Sequence, residues 1–258
     1  MEFSAKGLRV LVTAGAAGIG REIARTFSAH GAKVHICDVD EKALAGIKKE
    51  LPAVTQTVAD VSKLADVERL FADVGKSLGG LDVLINNAGI AGPTGLVEDI
   101  RPEDWDRCIA IDLNGMFYVT RKAMPLIKAA GGGAIVNLSS IAGRFGFPMR
   151  TPYSAAKWAV VGFTQSLAAE AGPHNVRVNC IQPGIVEGER IDRVIDAKAK
   201  SLGLPREEIR NRMLAGTSLN TTVTAQDIAN MALYLATEPG KRISGQDIAV
   251  CGGSRYLV

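Results

Sequence analysis

Cysteine is scarce in the sequence. Its four copies stand at Cys37, Cys108, Cys180 and Cys251. None belongs to a Cys-x-x-Cys pair, so the pattern fits neither a disulfide framework nor a zinc site. Histidine is rarer still, and its three copies, His30, His35 and His174, are too far apart for metal-ligand spacing. We therefore predict no metal site and place the cysteines in the core.

Long apolar runs and blocks of like charge are also absent. No stretch approaches the ~20 apolar residues that cross a bilayer, and no signal peptide is recognised. The 30 Lys and Arg nearly balance the 27 Asp and Glu, and no block of one sign would follow a nucleic-acid backbone. We expect a cytoplasmic protein that binds neither nucleic acid nor membrane.

What the sequence does have is an alternation of short β-branched apolar runs with helical patterns, over 258 residues that are 47% hydrophobic. The predicted strands are residues 8–13, 32–37, 54–58, 82–87, 133–139, 176–181 and 247–250. Such alternation is typical of a parallel sheet with helices on both faces. We predict one doubly wound α/β domain over residues 1–258, interrupted only by a charged helical segment at 187–216. We interpret that segment as an added lid.

The first predicted strand runs into the glycine-rich stretch TAGAAGIG, residues 13–20, and then into a helix. Glycines let the backbone approach a pyrophosphate, and a helix N-terminus offers unpaired N–H groups. Asp38 follows Gly15 by 23 residues at the end of the second strand, near the spacing of an acid that binds ribose. This context favours a dinucleotide site over an empty tight turn.

Tyr153 and Lys157 lie four residues apart in an alanine-rich helical segment, so both leave the same helix face. A phenol alone has a pKa near 10, and a cation beside it favours the phenolate. Taken alone, the pair also fits a surface position, because this spacing arises by chance in many helices.

Further motifs follow in a fixed order along the chain. They are DVS at 60–62, NNAG at 86–89, SS at 139–140, YSAAK at 153–157 and NCIQPG at 179–184. With the glycine-rich loop they resemble the short-chain dehydrogenase/reductase family over essentially the whole chain. The resemblance implies a Rossmann fold and a nicotinamide-dependent oxidoreductase that interconverts a secondary alcohol and a ketone.

The resemblance also implies residue roles. Tyr153 would be the general acid or base, Lys157 would stabilise its phenolate and bind the nicotinamide ribose, and Ser140 would donate a hydrogen bond to the substrate oxygen. Asp112 stands at the fourth catalytic position, where the family has Asn. Implied cofactor contacts come from Thr13, Gly15, Gly18, Ile19, Gly20, Asp38, Asp60, Val61, Asn87, Ala88, Gly89, Tyr153, Lys157, Pro183, Gly184 and Val186.

Two other positions depart from the family pattern: Ala14 follows Thr13 where the loop ordinarily begins Thr-Gly, and Gly188 replaces a threonine that would contact the cofactor carboxamide. Cofactor choice is predicted from Asp38, which would bind a ribose 2′-hydroxyl and repel a 2′-phosphate. Ala17 stands where a basic residue would offset that repulsion. We expect NAD as the cofactor.

The family commonly forms tetramers through the helix that bears Tyr153. Val160, Phe163 and Leu167 form an apolar stripe on this helix, which predicts a homotetramer; burial in the subunit's own core is the alternative. We place Trp105 and Trp158, both in helical segments, in the core or at an interface.

An anionic substrate is suggested by arginines in the segment between Ser140 and Tyr153 and at the start of the expected lid. They are Arg144, Arg150, Arg190 and Arg193. Arginine donates two parallel hydrogen bonds to a carboxylate, sulfonate or phosphate. Surface or intersubunit salt bridges are the alternative interpretation.

Fold alone does not establish an activity. A non-catalytic redox sensor that binds the dinucleotide, or a structural subunit of a complex, would share the fold. The set formed by Ser140, Tyr153 and Lys157 favours an enzyme, because neither alternative needs all three.

Overall fold

A computed structural model describes residues 3–257 of the chain. Its strands are β1 (Arg9–Thr13), β2 (Lys33–Asp38), β3 (Thr55–Val58), β4 (Val83–Asn86), β5 (Gly133–Leu138), β6 (Val176–Pro183) and β7 (Asp247–Val250). They form one parallel sheet in the order β3-β2-β1-β4-β5-β6-β7. This order confirms the predicted doubly wound α/β fold, and the predicted strand ends are correct to within two residues.

Helices cover both faces of the sheet. They are α1 (Gly18–Ala29), α2 (Glu41–Glu50), α3 (Leu64–Leu78), α4 (Pro102–Ile109), α5 (Gly115–Ala129), α6 (Thr151–Ala171), α7 (Glu189–Leu202), α8 (Arg206–Ala215) and α9 (Ala225–Ala236). One apolar core lies between the sheet and α1, α2 and α9, and a second between the sheet and α3, α5 and α6.

Local sequence explains these elements. Val10, Leu11 and Val12 of β1 have no exposed surface, as expected for a central strand that is covered on both faces. Ile23 and Phe27 lie one turn apart on the buried stripe of α1. In both elements the spacing of the apolar residues decides which side chains are buried.

The charged segment at 187–216 forms α7 and α8, which hold a small apolar cluster of their own. Ile195 of α7 and Ile209 and Met213 of α8 are buried in it, together with Ile185. A cavity of about 290 Å³ lies between these helices and the chain that follows β6. The two helices are thus a separate layer beside the sheet.

Three of the four cysteines lie in the core, and one does not. Cys37, Cys108 and Cys180 are buried, whereas Cys251 is partly exposed and corrects the expectation for that residue. Burial raises the pKa of the Cys37 thiol to about 12. Within residues 3–257 we find no cluster of three side chains that would hold a metal ion. No helix in that range is long and apolar enough to cross a membrane.

The apolar stripe on α6 faces inward, which corrects its assignment to an interface. Val160 has no exposed surface and Leu167 is 9% exposed, because α6 packs over β5 and β6 of its own sheet. Trp105 and Trp158 are not in the core. They are 39% and 51% exposed on α4 and α6, respectively.

Candidate active site

The candidate site lies at the carboxyl ends of the strands, where the strand order reverses between β1 and β4. The glycine-rich loop follows β1, the NNAG motif follows β4, and the two serines follow β5. Ligands of doubly wound folds bind in this crevice. The topology therefore brings the separate sequence motifs to one edge of the sheet.

Glycines in the loop serve two purposes. A Cβ atom on Gly15 would lie 2.6 Å from the Ile36 Cβ, and one on Gly20 would lie 2.1 Å from the Ala14 oxygen, so both positions exclude side chains. Gly18 has a φ of +51°, and no atom lies within 4 Å of where its Cβ would be. Backbone at Gly18 is open at the start of α1, where an anion can approach.

The loop is attached to the end of β4 by side chains. The Thr13 hydroxyl accepts hydrogen bonds from the Asn87 and Ala88 N–H groups, each at 2.9 Å. The Asn87 amide donates to the Thr13 and Ala14 carbonyl oxygens, each at 3.0 Å. Both side chains are therefore directed toward protein groups and hold the loop in place.

Ala14 has a φ of +49°, in the left-handed region that disfavours residues with a Cβ. The position is the one where the resembled family has glycine. The Asn87 amide holds the Ala14 carbonyl in this conformation. Alanine in place of the family's glycine therefore leaves the backbone strained at this residue.

An acid stands beside this loop. Asp38 ends β2, and its carboxylate accepts hydrogen bonds from the Ala16 N–H at 3.1 Å and the Asp40 N–H at 3.2 Å. After β3, the Asp60 carboxylate accepts the Ser62 N–H, and Val61 is buried. Helix α1 begins without a side-chain cap, so its first N–H groups are available to a ligand. An open glycine, an uncapped helix and an acid fit a dinucleotide.

The chain after β6 lies close to the chain after β7. A Cβ on Gly184 would be 2.6 Å from the Cys251 Cα, and Val186 forms a β-bridge with Val223. Gly188 has a φ of +127° and no side chain to offer a ligand at that position.

Tyr153 and Lys157 project from the first turns of α6. Lys157 is 3% exposed, and its Nζ lies 5.6 Å from the centroid of the Tyr153 ring. The ammonium donates a hydrogen bond to the Leu138 carbonyl at 3.1 Å and lies 3.4 Å from the Asp112 carboxylate. The helix spacing and these two contacts hold a buried positive charge beside the phenol.

Asp112 lies in a single turn of π-helix, Ala110–Asn114, between α4 and α5. Its Oδ1 accepts the Ile90 N–H at 2.7 Å, and its buried Oδ2 makes no hydrogen bond, so the Lys157 ammonium is what balances it. A Cβ on Gly89 would lie 3.2 Å from both Oδ2 and that ammonium. The acid that replaces the family's Asn at this position therefore forms an ion pair with Lys157.

The two serines after β5 differ in what they bind. Ser139 donates its hydroxyl to the Lys157 carbonyl at 2.8 Å and is 4% exposed. Ser140 accepts the Ala142 N–H at 3.1 Å, which leaves its own O–H to donate. Ser140 is therefore the serine that can polarise a substrate oxygen.

Two arginines lie near the Tyr153 ring. The guanidinium carbons of Arg150 and Arg190 lie 5.3 Å and 5.9 Å from its centroid. Arg193 instead pairs with Glu189 on the surface of α7, and Arg144 is exposed. The salt-bridge alternative therefore describes Arg193.

Lys198 of α7 was missed from the sequence. It is 2% exposed and lies beside the Phe147 ring, next to Arg150. The available signal was its spacing, because Lys198 follows Ile191 and Ile195 by seven and three residues, on the apolar stripe of the helix. A lysine at such a position is buried or borders a site.

Comparisons with known proteins agree on the class of protein. Residues 14–255 match the family model described as enoyl-(acyl carrier protein) reductase. The chain is 32% identical to a D-β-hydroxybutyrate dehydrogenase of Rhizobium meliloti (strain 1021), over 94% of this chain and 96% of the relative. It is 36% identical to a 3-oxoacyl-(acyl-carrier-protein) reductase of Chlamydia muridarum (strain MoPn / Nigg), over 94% and 95%.

A solved structure supports the same assignment. A single-residue variant of actinorhodin polyketide ketoreductase, determined with NADPH, superposes with a TM-score of 0.91 at 32% identity. The match covers 95% of this chain and 96% of the ketoreductase chain. Fold and sequence are thus shared over nearly the full length of both proteins.

Proposed function

Because the chain belongs to the short-chain dehydrogenase/reductase family, we propose that it is an NAD-dependent oxidoreductase that interconverts a secondary alcohol and a ketone. The observation that carries this proposal is the buried Lys157 ammonium, 5.6 Å from the Tyr153 ring and held by Asp112. A phenol with a fixed positive charge beside it is suited to exchange a proton with a substrate oxygen. A protein that only binds a dinucleotide has no use for this arrangement.

Tyr153 is assigned as the general acid and base. In alcohol oxidation its phenolate takes the hydroxyl proton of the substrate, and in ketone reduction its phenol returns that proton. Lys157 stabilises the phenolate, and Ser140 donates its free O–H to the substrate oxygen as negative charge develops there. A bound nicotinamide cofactor supplies the hydride acceptor, so that alcohol and NAD⁺ become ketone, NADH and a proton.

The residues for binding the cofactor are those at the ends of β1 and β2. The open backbone at Gly18 and the first N–H groups of α1 are assigned to its phosphates, and Asp38 to its adenosine ribose. We propose NAD because a carboxylate about 4 Å from a 2′-phosphate opposes it by roughly 4 kcal/mol at an effective dielectric near 20. The ketoreductase structure holds NADPH, so this preference is argued from Asp38 alone.

Helices α7 and α8 are proposed to cover the substrate. The Arg190 guanidinium at the start of α7 donates a hydrogen bond to the Gly89 carbonyl at 3.2 Å, which joins this segment to the loop after β4. The two relatives are named for different substrates, D-β-hydroxybutyrate and a 3-oxoacyl-(acyl-carrier-protein), so their names do not indicate one substrate.

The test is a panel of secondary alcohols assayed with NAD and with NADP, with the reduced cofactor measured by absorbance. Tyr153→Phe should lower turnover on the order of a hundredfold or more, because the proton acceptor is lost, and should leave cofactor affinity nearly unchanged. Tyr234→Phe, on α9, is the matched control and should keep full turnover. Retention of more than about a tenth of turnover in Tyr153→Phe would remove this residue from the proposed role.

Cofactor choice is tested separately. We expect kcat/KM to be higher with NAD than with NADP. Asp38→Asn removes the negative charge, so it should bring the ratio of the two kcat/KM values closer to one. Equal efficiency of the wild type with both cofactors would contradict the assignment of Asp38. Binding of NAD without turnover of any alcohol or ketone would favour the sensor alternative.

A further inference from the structure

Two buried cations from separate segments lie beside the catalytic tyrosine. Arg150, the residue before α6, is 2% exposed, and its guanidinium carbon lies 5.3 Å from the Tyr153 ring centroid and 5.4 Å from that of Phe147. Lys198, from α7, is also 2% exposed, with its Nζ 4.3 Å from the Phe147 centroid. Both cations therefore contact the same apolar ring next to the reacting group.

Arg150 has an unused hydrogen-bond donor. One Nη donates to the Ala91 carbonyl and the other to the Thr94 hydroxyl at 3.5 Å, while the buried Nε has no acceptor. In residues 3–257, Arg150 forms no ion pair with an Asp or Glu. A buried donor without a partner is costly, and burial lowers the pKa of this guanidinium. The unpaired Nε–H points to an acceptor that a ligand supplies.

The backbone before Arg150 is strained. Met149 has a φ of +64°, and the Gly95 N–H donates to the Met149 carbonyl at 3.0 Å, which holds this conformation. Strained non-glycine residues persist only where the surrounding structure holds them, and they cluster at active sites and ligand-binding sites. Here the turn precedes α6 and directs the Arg150 side chain inward.

Further cations lie near Arg150. Lys157 has the Asp112 carboxylate as its partner, whereas the Arg190 guanidinium donates to a neutral carbonyl. Burial, and then the charge of Arg150, lower the pKa of Lys198 to about 8, so its ammonium is destabilised by its surroundings. An anion bound at the Arg150 Nε–H would offset the desolvation of this guanidinium and reduce its repulsion of Lys198.

We propose that Arg150 and Lys198 bind a carboxylate of the substrate, so that the enzyme oxidises short hydroxy acids or reduces the matching oxo acids. This inference rests on the proposed oxidoreductase function. The Arg150 Nε–H and one of the three N–H groups of Lys198 match the two oxygens of a monoanionic carboxylate, whereas a phosphate dianion has three oxygens and needs more donors. The Phe147 ring contacts the carbon chain, and the distance of Arg150 from Tyr153 places the carboxylate a few carbons from the reacting carbon.

The first experiment uses the wild-type enzyme with 3-hydroxybutyrate, its primary amide, and the neutral alcohol 2-butanol. We expect kcat/KM for the acid to exceed that for the amide by about a hundredfold, since two charge-assisted hydrogen bonds are lost with the amide. Butyrate should be a competitive inhibitor with respect to 3-hydroxybutyrate, and butyramide should not inhibit. This inhibition needs no variant, so it stands even if a substitution prevents folding.

The second experiment compares Arg150→Met and Lys198→Met with Lys200→Met, an exposed lysine two residues further along α7. The ratio of kcat/KM for acid to amide should fall by about tenfold or more in the first two and stay unchanged in the third. Lys198→Arg keeps a cation and should retain most of the ratio. The ratio is measured within each variant, so it is independent of the amount of folded enzyme.

The outcomes separate the two proposals. If neither acids nor neutral alcohols are oxidised, the proposed function fails. If neutral alcohols are oxidised as well as the acid, or the ratio is the same in all variants, the carboxylate site is overturned while the oxidoreductase remains. A marked preference for glycerol 3-phosphate over the acid would also overturn it, in favour of a phosphate site.

Discussion

At the scale of single residues, the buried ammonium of Lys157 needs a compensating charge. The Asp112 carboxylate supplies it at 3.4 Å, and the Leu138 carbonyl accepts a hydrogen bond. A buried ion is stable only when paired and hydrogen-bonded. The family's usual Asn offers no negative charge here, so Asp112 adds charge balance to the positioning of Lys157.

Replacement of Asp112 therefore has graded consequences. Asp112→Asn should lower kcat by less than about tenfold, because the amide oxygen still accepts the Ile90 N–H and Lys157 keeps the Leu138 carbonyl. Asp112→Ala loses the Ile90 hydrogen bond as well as the ion pair with Lys157, and should also lower the free energy of unfolding by about 3 kcal/mol. Steady-state kinetics and urea unfolding of the two variants measure this order. If the two variants had the same kcat and the same stability, the hydrogen bond to Ile90 would contribute nothing. A large gain of kcat in Asp112→Asn would show that the carboxylate weakens the enzyme.

Ala14 gives a second prediction at this scale. Its φ of +49° favours glycine, so Ala14→Gly should raise the free energy of unfolding by about 0.5–1 kcal/mol, despite the greater freedom of glycine in the unfolded chain. The same substitution at Ala169, exposed inside α6, should lower it by about 1 kcal/mol. Chemical denaturation of both variants provides the measurement. A loss of stability in Ala14→Gly would mean that the loop carries no strain at this residue.

The sequence predicts which side chains come together where spacing along one element decides the geometry. Tyr153 and Lys157 were expected on one helix face, and their side chains do meet. Asp112 lies in the π-helix turn and Lys198 in α7, and their contacts arise only when these elements pack against α6 and the segment before it. No local pattern carries that information, so the ion pair and the Arg150–Lys198 cluster required the structure.

At the scale of elements, buried polar side chains fasten the second half of the sheet to its helices. Asn86 of β4 donates to Thr120 of α5 and to Asn137 of β5, and Asn137 donates to Thr164 of α6. Each bond is between groups removed from water, where an unmade bond would be costly. The network fixes α6, and with it Tyr153 and Lys157, against the carboxyl ends of the strands.

A histidine connects the other half of the sheet to α3. His35 of β2 is 1% exposed, and its ring bonds to Thr55 and Thr57 of β3 and to Ser77 of α3. Burial lowers its pKa from 6.5 to about 4, against a smaller opposing effect of the Asp73 charge. The neutral ring is therefore part of the folded packing between these elements.

This histidine should make the protein sensitive to acid. The unfolded chain takes up a proton at His35 below pH 6.5 and the folded chain only near pH 4, so its contribution is complete above pH 6.5 and is lost as the pH falls toward 4. Between pH 7 and pH 5 the loss should be about 2 kcal/mol. Urea unfolding at both pH values measures it, with His174→Gln, at an exposed position, as the control that retains the loss. A His35→Gln variant with the same pH dependence as the wild type would contradict the assignment.

At the scale of the whole molecule, the fold could be predicted because the alternation of apolar strands and amphipathic helices runs the length of the chain. The surface through which copies of the chain would associate could not be predicted in this way. The stripe of Val160 and Leu167 has the periodicity of any buried helix face, and the sheet of the same chain covers it. Several aromatic side chains are exposed, among them Phe117 of α5 and Trp158 of α6, and their exposure follows from how the helices pack.

The expected homotetramer can now be tested at those aromatic residues. Trp158 is 51% exposed on α6, and placing its ring between copies would remove apolar surface from water, so we expect it at the contact. Trp158→Glu should weaken association by about 2 kcal/mol or more per contact and lower the mass measured by light scattering at micromolar concentration. Leu64→Glu places the same charge at a residue that is 53% exposed at the start of α3, and should leave the mass at that of a tetramer. Circular dichroism should show both variants folded, because neither position is in the core. A monomer mass for the wild type would contradict the tetramer, and an unchanged tetramer for Trp158→Glu would place the contact on another surface.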